Sequence, residues 1–427
     1  MSNDGARKAE ILDAAATLFA STGVRTGIKD IADACGIHPG SLYHHFESKE
    51  AIIVALVERY QTDLDTVAQA ALEDLRQPDV IPPAKIIIAL GEAIAACAVR
   101  HRAALLLTFY EPPALFSQDL VELAARTPTR IQAAMLEALR AGRQSGYIRP
   151  GIDLALLADR LCQSMLHIGI GVSHGIPGGS RMAEIKCRIL LDGVAVGPLE
   201  DDALDQAPAF LAANKVIATW DEDDAVDEHD REALIRAAAR TEFGRRGYEA
   251  TTVRDIAAAA NLSMGGVYRI IESKERLLVS IMSSYVATIT AGWRAILRSP
   301  SSAVEKLDAL MWFDINLMNR FSDEFKIQYA GLREAPPDSP DLTWTFPTQL
   351  RQVKSLLAEG AGSGELHLAG ASADIRARCM FSVIWMPQNI VYSAGPRAAL
   401  ALSRGTVLRG ASERLQTGRE PASHVQG

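Results

Sequence analysis

The side chains best placed to do chemistry in this 427-residue chain fall in two short runs, and both suit gripping a polyanion better than breaking bonds. The first is His38-Pro39-Gly40-Ser41, followed by Tyr43 and His44; the second is Ser263-Met264-Gly265-Gly266, followed by Tyr268 and Arg269. Each joins small residues, which let a backbone come close, to a phenol and to an imidazole or guanidinium that can donate to phosphate oxygens. A lysine follows each run, Lys49 and Lys274, in what the spacing makes the first turn of a long helix. A helix dipole disfavours a cation there by ~0.3–1 kcal/mol. An anion held at that terminus by free N–H groups and the ammonium accounts for its presence. The alternative is that Glu50 and Glu275 simply neutralise the charge.

Signs of catalysis are missing. The chain has no P-loop, no G-x-G-x-x-G after a strand, no G-x-S-x-G and no H-E-x-x-H. The glycine-rich stretch 360–364 falls between helices, and His167 and His174 lack an acidic or thiol companion. The expectation is therefore not an enzyme, with no metal and no other cofactor. Five scattered cysteines form no C-x-x-C pair, which suits a reducing compartment. No apolar run approaches the ~20 residues of a membrane helix, and residues 1–10 lack the apolar centre of a secretory signal. A soluble, cytoplasmic protein with no membrane partner is expected.

The two runs are parts of a larger repeat. Residues 11–23 match 235–247 at an offset of 224, and residues 27–50 match 252–275 at an offset of 225. Identities include Phe19/Phe243, Asp30/Asp255, Ile31/Ile256, Gly40/Gly265 and Tyr43/Tyr268. In each copy the spacing predicts a helix with an apolar stripe (Ile11, Ala15, Phe19), then two short helices, then a long one. In the first copy the short helices cover about 28–35 and 39–45, and in the second 253–260 and 264–270. Ile31, Ala32, Ile37, Leu42 and Phe46 should pack on the first helix, leaving the chemically equipped residues outside. Two short helices joined by a tight turn make a helix-turn-helix, whose last helix can enter a DNA major groove. No segment alternates as a strand does, so an all-α fold is expected.

These residues resemble the N-terminal domain of the tetracycline-repressor (TetR) family of transcription regulators. The likeness rests on A-x-x-L-F-x-x-x-G, I-K-D-I-A, G-I-H-P-G-S-L-Y-H-H-F and S-K-E in the first copy. In the second it rests on T-T-V-R-D-I-A and G-G-V-Y-R-I-I-E-S-K-E. The resemblance implies two tandem units, each a three-helix DNA-binding head followed by a helical domain that dimerises and holds a small effector. The expected divisions are a head at 5–65, an effector domain at 66–199, an acidic linker at 200–229, a second head at 230–290, a second effector domain at 291–415 and a disordered tail at 416–427. Carried over by position, the DNA-contacting residues of the first head are Thr26, Gly27, Lys29, His38, Pro39, Gly40, Ser41, Tyr43, His44 and Lys49. In the second they are Thr251, Thr252, Arg254, Ser263, Met264, Gly265, Gly266, Tyr268, Arg269 and Lys274. The copies differ where bases would be read, and Phe46 is replaced by Ile271, so unlike half-sites are expected, or a second head retired from reading.

The net charge is −8, yet residues 200–230 hold eleven Asp/Glu against Lys215 alone and so carry −10, leaving +2 for the rest. Such a segment should extend by self-repulsion, although Phe210, Ala213, Ile217 and Trp220 follow helical spacing and could dock as one helix. An intrachain pseudo-twofold is expected, with helices near 152–173 and 181–196 against helices near 371–393; pairing of two chains is the alternative. Phe109, Tyr110, Trp312, Phe313, Phe325, Tyr329 and Trp385 are the candidates for lining a cavity for an apolar effector, with ordinary core as the other reading. The function expected is a sequence-specific transcriptional regulator, a repressor released from double-stranded operator DNA by that effector. Two alternatives stand: an interaction module whose heads have lost DNA, and an enzyme without a recognised motif.

Overall fold

The computed structural model describes residues 3–22, 26–77, 81–108, 117–124, 126, 128–173, 179–222, 230–248, 250–333, 346–368 and 370–413. They are helical throughout, and among them the only β-type pairings are two isolated bridges. The first half comprises α1 (Asn3–Thr22), α2 (Ile28–Ala34), α3 (Pro39–Tyr43) and α4 (Lys49–Leu75), then α5 (Pro83–Arg100), α6 (Arg102–Thr108), α7 (Gln118–Ala124), α8 (Thr129–Gln144), α9 (Leu154–Ser173) and α10 (Gly179–Asp192). Two connecting helices follow, α11 (Asp201–Gln206) and α12 (Pro208–Glu222). The second half repeats the order with α13 (Arg231–Arg246), α14 (Val253–Ala259), α15 (Met264–Tyr268), α16 (Lys274–Leu297), α17 (Ala303–Arg320), α18 (Ser322–Arg333), α19 (Phe346–Gly362), α20 (Ala373–Ile384), α21 (Gln388–Ala394) and α22 (Pro396–Ser403), closing on a π turn, Arg404–Leu408.

Each head is built as its apolar spacing requires. Ile11, Ala15 and Phe19 of α1 are buried against Ile31, Ala32 and Leu42, and Ile235, Ala239 and Phe243 against Ile256, Ala257 and Val267. Leu42 and Val267 are the anchors of the two five-residue helices α3 and α15, and burial of such a side chain contributes about 1.5–3 kcal/mol. The exchange of Phe46 for Ile271 keeps an apolar, buried residue at the end of that helix.

One sequence expectation changes in the structure. The acidic segment is not an extended linker over its described part, because α12 docks in the second half. Phe210 stacks on Trp312 at 5.5 Å, Asn214 accepts the Trp312 indole N–H at 2.7 Å, and Trp220 sits edge-on to Phe313 at 5.4 Å. Aromatic burial outweighs self-repulsion, and basic residues from far along the chain take up the charge. Arg404 reaches Asp205 at 2.7 Å, Arg397 reaches it at 3.4 Å, and Arg409 pairs with Asp201. The helices expected near 371–393 are α20 and α21, parted at residues 385–387, where Pro387 removes an N–H and forces the preceding residue toward extended backbone. The chain likewise divides at His101 into α5 and α6. Residues 416–427 lie outside the described residues.

The halves are joined face to face by reciprocal pairing. Val194 N–H donates to Val407 C=O at 2.9 Å, and Ala411 N–H to Leu190 C=O at 3.1 Å. His367 N–H donates to Val194 C=O at 2.7 Å, and Arg149 N–H to Ala411 C=O at 3.0 Å. The two bridges, Ala195–Leu366 and Ile148–Ser412, exchange partners in the same way. Contact of i with j and of j's counterpart with i's is the signature of a twofold relation, here within one chain. Gly193 and Gly410 face each other at its centre with φ of +69° and +83°. A Cβ on Gly193 would lie 2.3 Å from the Gly410 nitrogen, so only glycine fits. Around them α10 packs on α20, and α9 on α21. Gly169 of α9 serves another close approach, its absent Cβ leaving room for the Ala98 carbonyl of α5.

Candidate nucleic-acid interface

α3 and α15 stand out from their heads. Tyr43 and Tyr268 are 53% and 60% exposed, among the largest apolar surfaces left open on the chain. Lys29, His38, Gly40, Ser41 and His44 are exposed around Tyr43, with Pro39 and Gly27 half-buried. Thr252, Arg254, Ser263, Met264, Gly265 and Arg269 are exposed around Tyr268. The expected contact residues thus come together on one face of each head, with local reasons for their geometry. His38 Nδ1 accepts from Gly40 N–H at 3.2 Å, and Ser263 Oγ from Gly266 N–H at 3.2 Å, so these side chains start their helices. Asp255 closes a reciprocal cap with Thr252, whereas in the first head Gly27 offers only its N–H, to Asp30 at 2.8 Å. Arg269 Nε donates back to the Gly265 carbonyl at 2.9 Å, leaving the rest of its guanidinium exposed.

Four expected contacts are placed otherwise. Thr26 and Thr251 are buried, and the Thr251 hydroxyl donates to the Glu242 and Gly247 carbonyls at 3.1 and 2.8 Å. That hydroxyl finishes the C-terminus of α13, which leaves carbonyls without helical partners. Gly266 is buried under the Ser263 cap. Lys274 does not face outward: its ammonium donates to the Tyr248 and Thr251 carbonyls at 2.8 and 3.0 Å and lies 4.2 Å from the Tyr248 ring centroid. Carbonyl dipoles and an aromatic face supply the negative potential that the helix terminus withholds. The cation at the start of α16 is thereby explained within the fold. Lys49 is half-buried at the equivalent place, and burial lowers its basicity.

Charge separates the heads. Residues 5–65 hold six basic and nine acidic residues, a net −3, whereas 230–290 hold nine basic and seven acidic, a net +2. The second head is the more strongly attractive to a polyanion.

Where the first head meets its body, Asp13, Arg59, Asp63, Arg100 and His101 line a polar cleft of about 410 Å³. Arg59 pairs with Asp13 at 2.8 Å and buried His101 with Asp63 at 2.7 Å. The sequence reading missed this cleft, because its members lie on α1, α4 and the α5–α6 junction. Of the effector candidates, Phe109 and Tyr110 lie outside the described residues, and of Tyr329 only its place in α18 is described. Trp312 and Phe313 turn to α12, their faces covered by Phe210 and Trp220. Phe325 and Trp385 stack at 5.9 Å, and Trp385 continues to Phe381 at 6.4 Å.

A family model described as bacterial regulatory proteins of the tetR family matches this chain twice, at residues 11–56 and 235–281, which are the two heads just described. The HTH-type transcriptional repressor KstR2 of Rhodococcus jostii is 30% identical over 203 residues, covering 45% of this chain and 94% of that protein. The chain belongs to the tetR family. Its likeness to the KstR2 repressor of Mycolicibacterium smegmatis is 35% over 167 residues, 36% of this chain and 74% of that one. Among solved structures, the ketosteroid transcriptional regulator KstR2 of Mycobacterium tuberculosis is 26% identical and covers 42% of this chain and 89% of its own, with a TM-score of 0.36. As in other tetR-family regulators, the helix-turn-helix is the DNA-binding element, and in this member it occurs twice. Among the described residues no helix is long and apolar enough to cross a membrane.

Proposed function

We propose that this tetR-family regulator is a repressor that carries a complete pair of operator-reading heads in one chain and is released by a small, mainly apolar effector. The carrying observation is the reciprocal pairing about Gly193 and Gly410, which holds two exposed recognition helices in one body. A single chain then occupies an operator of two half-sites, the spacing of which is roughly one DNA turn, 34–36 Å. The half-sites differ, because His38-Pro39-Gly40-Ser41 and His44 face one of them and Ser263-Met264-Gly265-Gly266 and Arg269 the other. The residues proposed to touch DNA are those left on the surface: Gly27, Lys29, His38, Pro39, Gly40, Ser41, Tyr43 and His44, with Thr252, Arg254, Ser263, Met264, Gly265, Tyr268 and Arg269. The relatives' description as transcriptional repressors supports repression as the direction of control.

The test is binding to a DNA fragment from the chain's own promoter region, with mass measured by light scattering on and off the DNA. The reading predicts one 46.0 kDa chain per operator, footprinted as two unlike half-sites, and a steep loss of affinity with salt. A protected symmetrical palindrome, or no binding at low salt, overturns it.

A further inference from the structure

The interior of the second half contains polar groups that its own sister copy does without. Asp314 of α17 is completely buried; one carboxyl oxygen accepts the Trp293 indole N–H at 3.1 Å and the other has no hydrogen-bond partner. Gln349 of α19 is 3% exposed, and neither its amide nitrogen nor its amide oxygen has a partner. Buried polar groups are nearly always satisfied, so each exception calls for a cause.

The duplication supplies the control. Helices α5 and α17 end alike, His101 N–H on Cys97 C=O at 2.9 Å and Phe321 N–H on Leu317 C=O at 2.8 Å, which aligns Asp314 with Ile94. Helices α8 and α19 end alike too, Ile148 N–H on Gly142 C=O at 3.1 Å and Leu366 N–H on Gly360 C=O at 2.9 Å, which aligns Gln349 with Ile131. The 225-residue offset between α4 and α16 aligns Trp293 with Ala68. Ile94, Ile131 and Ala68 are all buried. The fold therefore closes with apolar residues at all three positions, and the second half has replaced them with a carboxyl, an amide and an indole.

These groups address one region. Lys306 of α17 meets Glu359 of α19 at 3.1 Å, and Ala303 N–H meets Glu365 at 2.8 Å, so the two helices run antiparallel. From that ion pair Asp314 is eight residues onward and Gln349 ten residues back, about 12 and 15 Å along the axes at 1.5 Å per residue. They stand at nearly one level. Trp293 meets Phe381 at 6.2 Å, and Phe381 meets Phe346, one turn before Gln349, at 5.8 Å.

We propose that Asp314 and Gln349 are the polar end of an effector site in the second half alone, taking an uncharged, largely apolar molecule through one hydroxyl or carbonyl group. The assignment rests on the effector-released regulator reading above and adds the ligand's chemistry and the half that holds it. Burial raises the Asp314 carboxyl well above the usual range and so favours the protonated form, which can donate to a ligand oxygen. Gln349 offers one donor and one acceptor to the same group. Trp293 and Phe381 offer faces to an apolar body. An anion would meet the Asp314 carboxyl and the Gln349 amide, neither of which carries a compensating positive charge.

The experiment uses the full chain and four probes of one shape: 2-naphthol, naphthalene, 1-naphthoate and 1-naphthylmethylammonium, followed by tryptophan fluorescence and calorimetry. One equivalent of 2-naphthol is expected to bind at least ten-fold more tightly than naphthalene, and the two ions more weakly still. Gln349→Ile and Asp314→Ile, which install the sister copy's residues, are expected to keep the thermal midpoint or raise it and to weaken 2-naphthol at least ten-fold. Equal affinity for naphthalene, preference for the ammonium, or unchanged 2-naphthol binding by Gln349→Ile overturns the proposal; the probe comparison on the unaltered chain decides even if a variant fails to fold. Promoter-fragment binding is read in the same samples. Failure of the probe-free chain to bind the fragment, with 2-naphthol binding intact, refutes the regulator reading separately from the site.

Discussion

The His101 imidazole lies 2.7 Å from the Asp63 carboxylate, tying the junction of α5 and α6 to α4 beneath the first head. The second half has no such tie, for Phe321 stands where His101 does and Thr288 where Asp63 does. The aromatic neighbours match, Tyr60 at 5.9 Å from His101 and Tyr285 at 6.0 Å from Phe321. The hydrogen bond from His101 holds the Asp63 carboxyl below its ordinary range, with the charges of His101 and Arg100 adding to it. A depressed carboxyl pKa contributes stability that is present above the unfolded value, near 4, and lost as pH falls through the folded one. The tie beneath the first head should therefore weaken as pH falls below about 4, and so should the Thr252–Asp255 cap of the second head, whose carboxyl hydrogen bonds and Arg246 also hold low. Hydrogen exchange resolved by segment checks both, and Asp63→Ala should cost about 1–2 kcal/mol by leaving a buried donor unsatisfied.

Salt dependence separates the heads. Lys29 and Arg254 occupy equivalent exposed positions at the start of α2 and α14. Replacing either with alanine should weaken binding to all sequences alike and reduce the slope of log K against log salt by about 0.9. Because the second head is the more basic, Arg254→Ala combined with Arg269→Ala should cost more affinity at low salt than Lys29→Ala with His44→Ala. Fluorescence anisotropy across a salt series measures both.

Lys274 should behave as part of the fold. Its two carbonyl partners and the Tyr248 ring tie α16 to the turn before α14. Lys274→Met is expected to destabilise the second head by about 1–2 kcal/mol, within the range for hydrogen bonds to charged groups. Protection of the α14 and α15 amides reports it. Full protection together with lost DNA affinity would restore the role of phosphate anchor.

Arg404 should show the asymmetry of a buried ion pair. It meets Asp308 at 2.8 Å with both side chains almost wholly enclosed. Arg404→Met leaves a buried carboxylate alone and should cost about 3–5 kcal/mol in urea unfolding. Adding Asp308→Leu should recover most of that loss, since the pair as a whole repays little beyond its own desolvation.

Sequence alone determined the helical class, the duplication and the exposed faces of α3 and α15, because these are local matters. Helical period, cap residues and turn glycines repeat within short windows, and Tyr43 and Tyr268 are outward simply because Leu42 and Val267 beside them are inward. Tertiary structure decided what no window contains. A lysine at a helix start looks the same whether it waits for phosphate or reaches back 26 residues to the Tyr248 carbonyl. An acidic stretch reads as self-repelling until Arg404 and Arg409 arrive from about two hundred residues away. Asp314 and Gln349 look unremarkable in helices that also carry surface charge; only the packing of α16, α17 and α19 encloses them, and enclosure is what turns an ordinary polar residue into an unmet hydrogen bond.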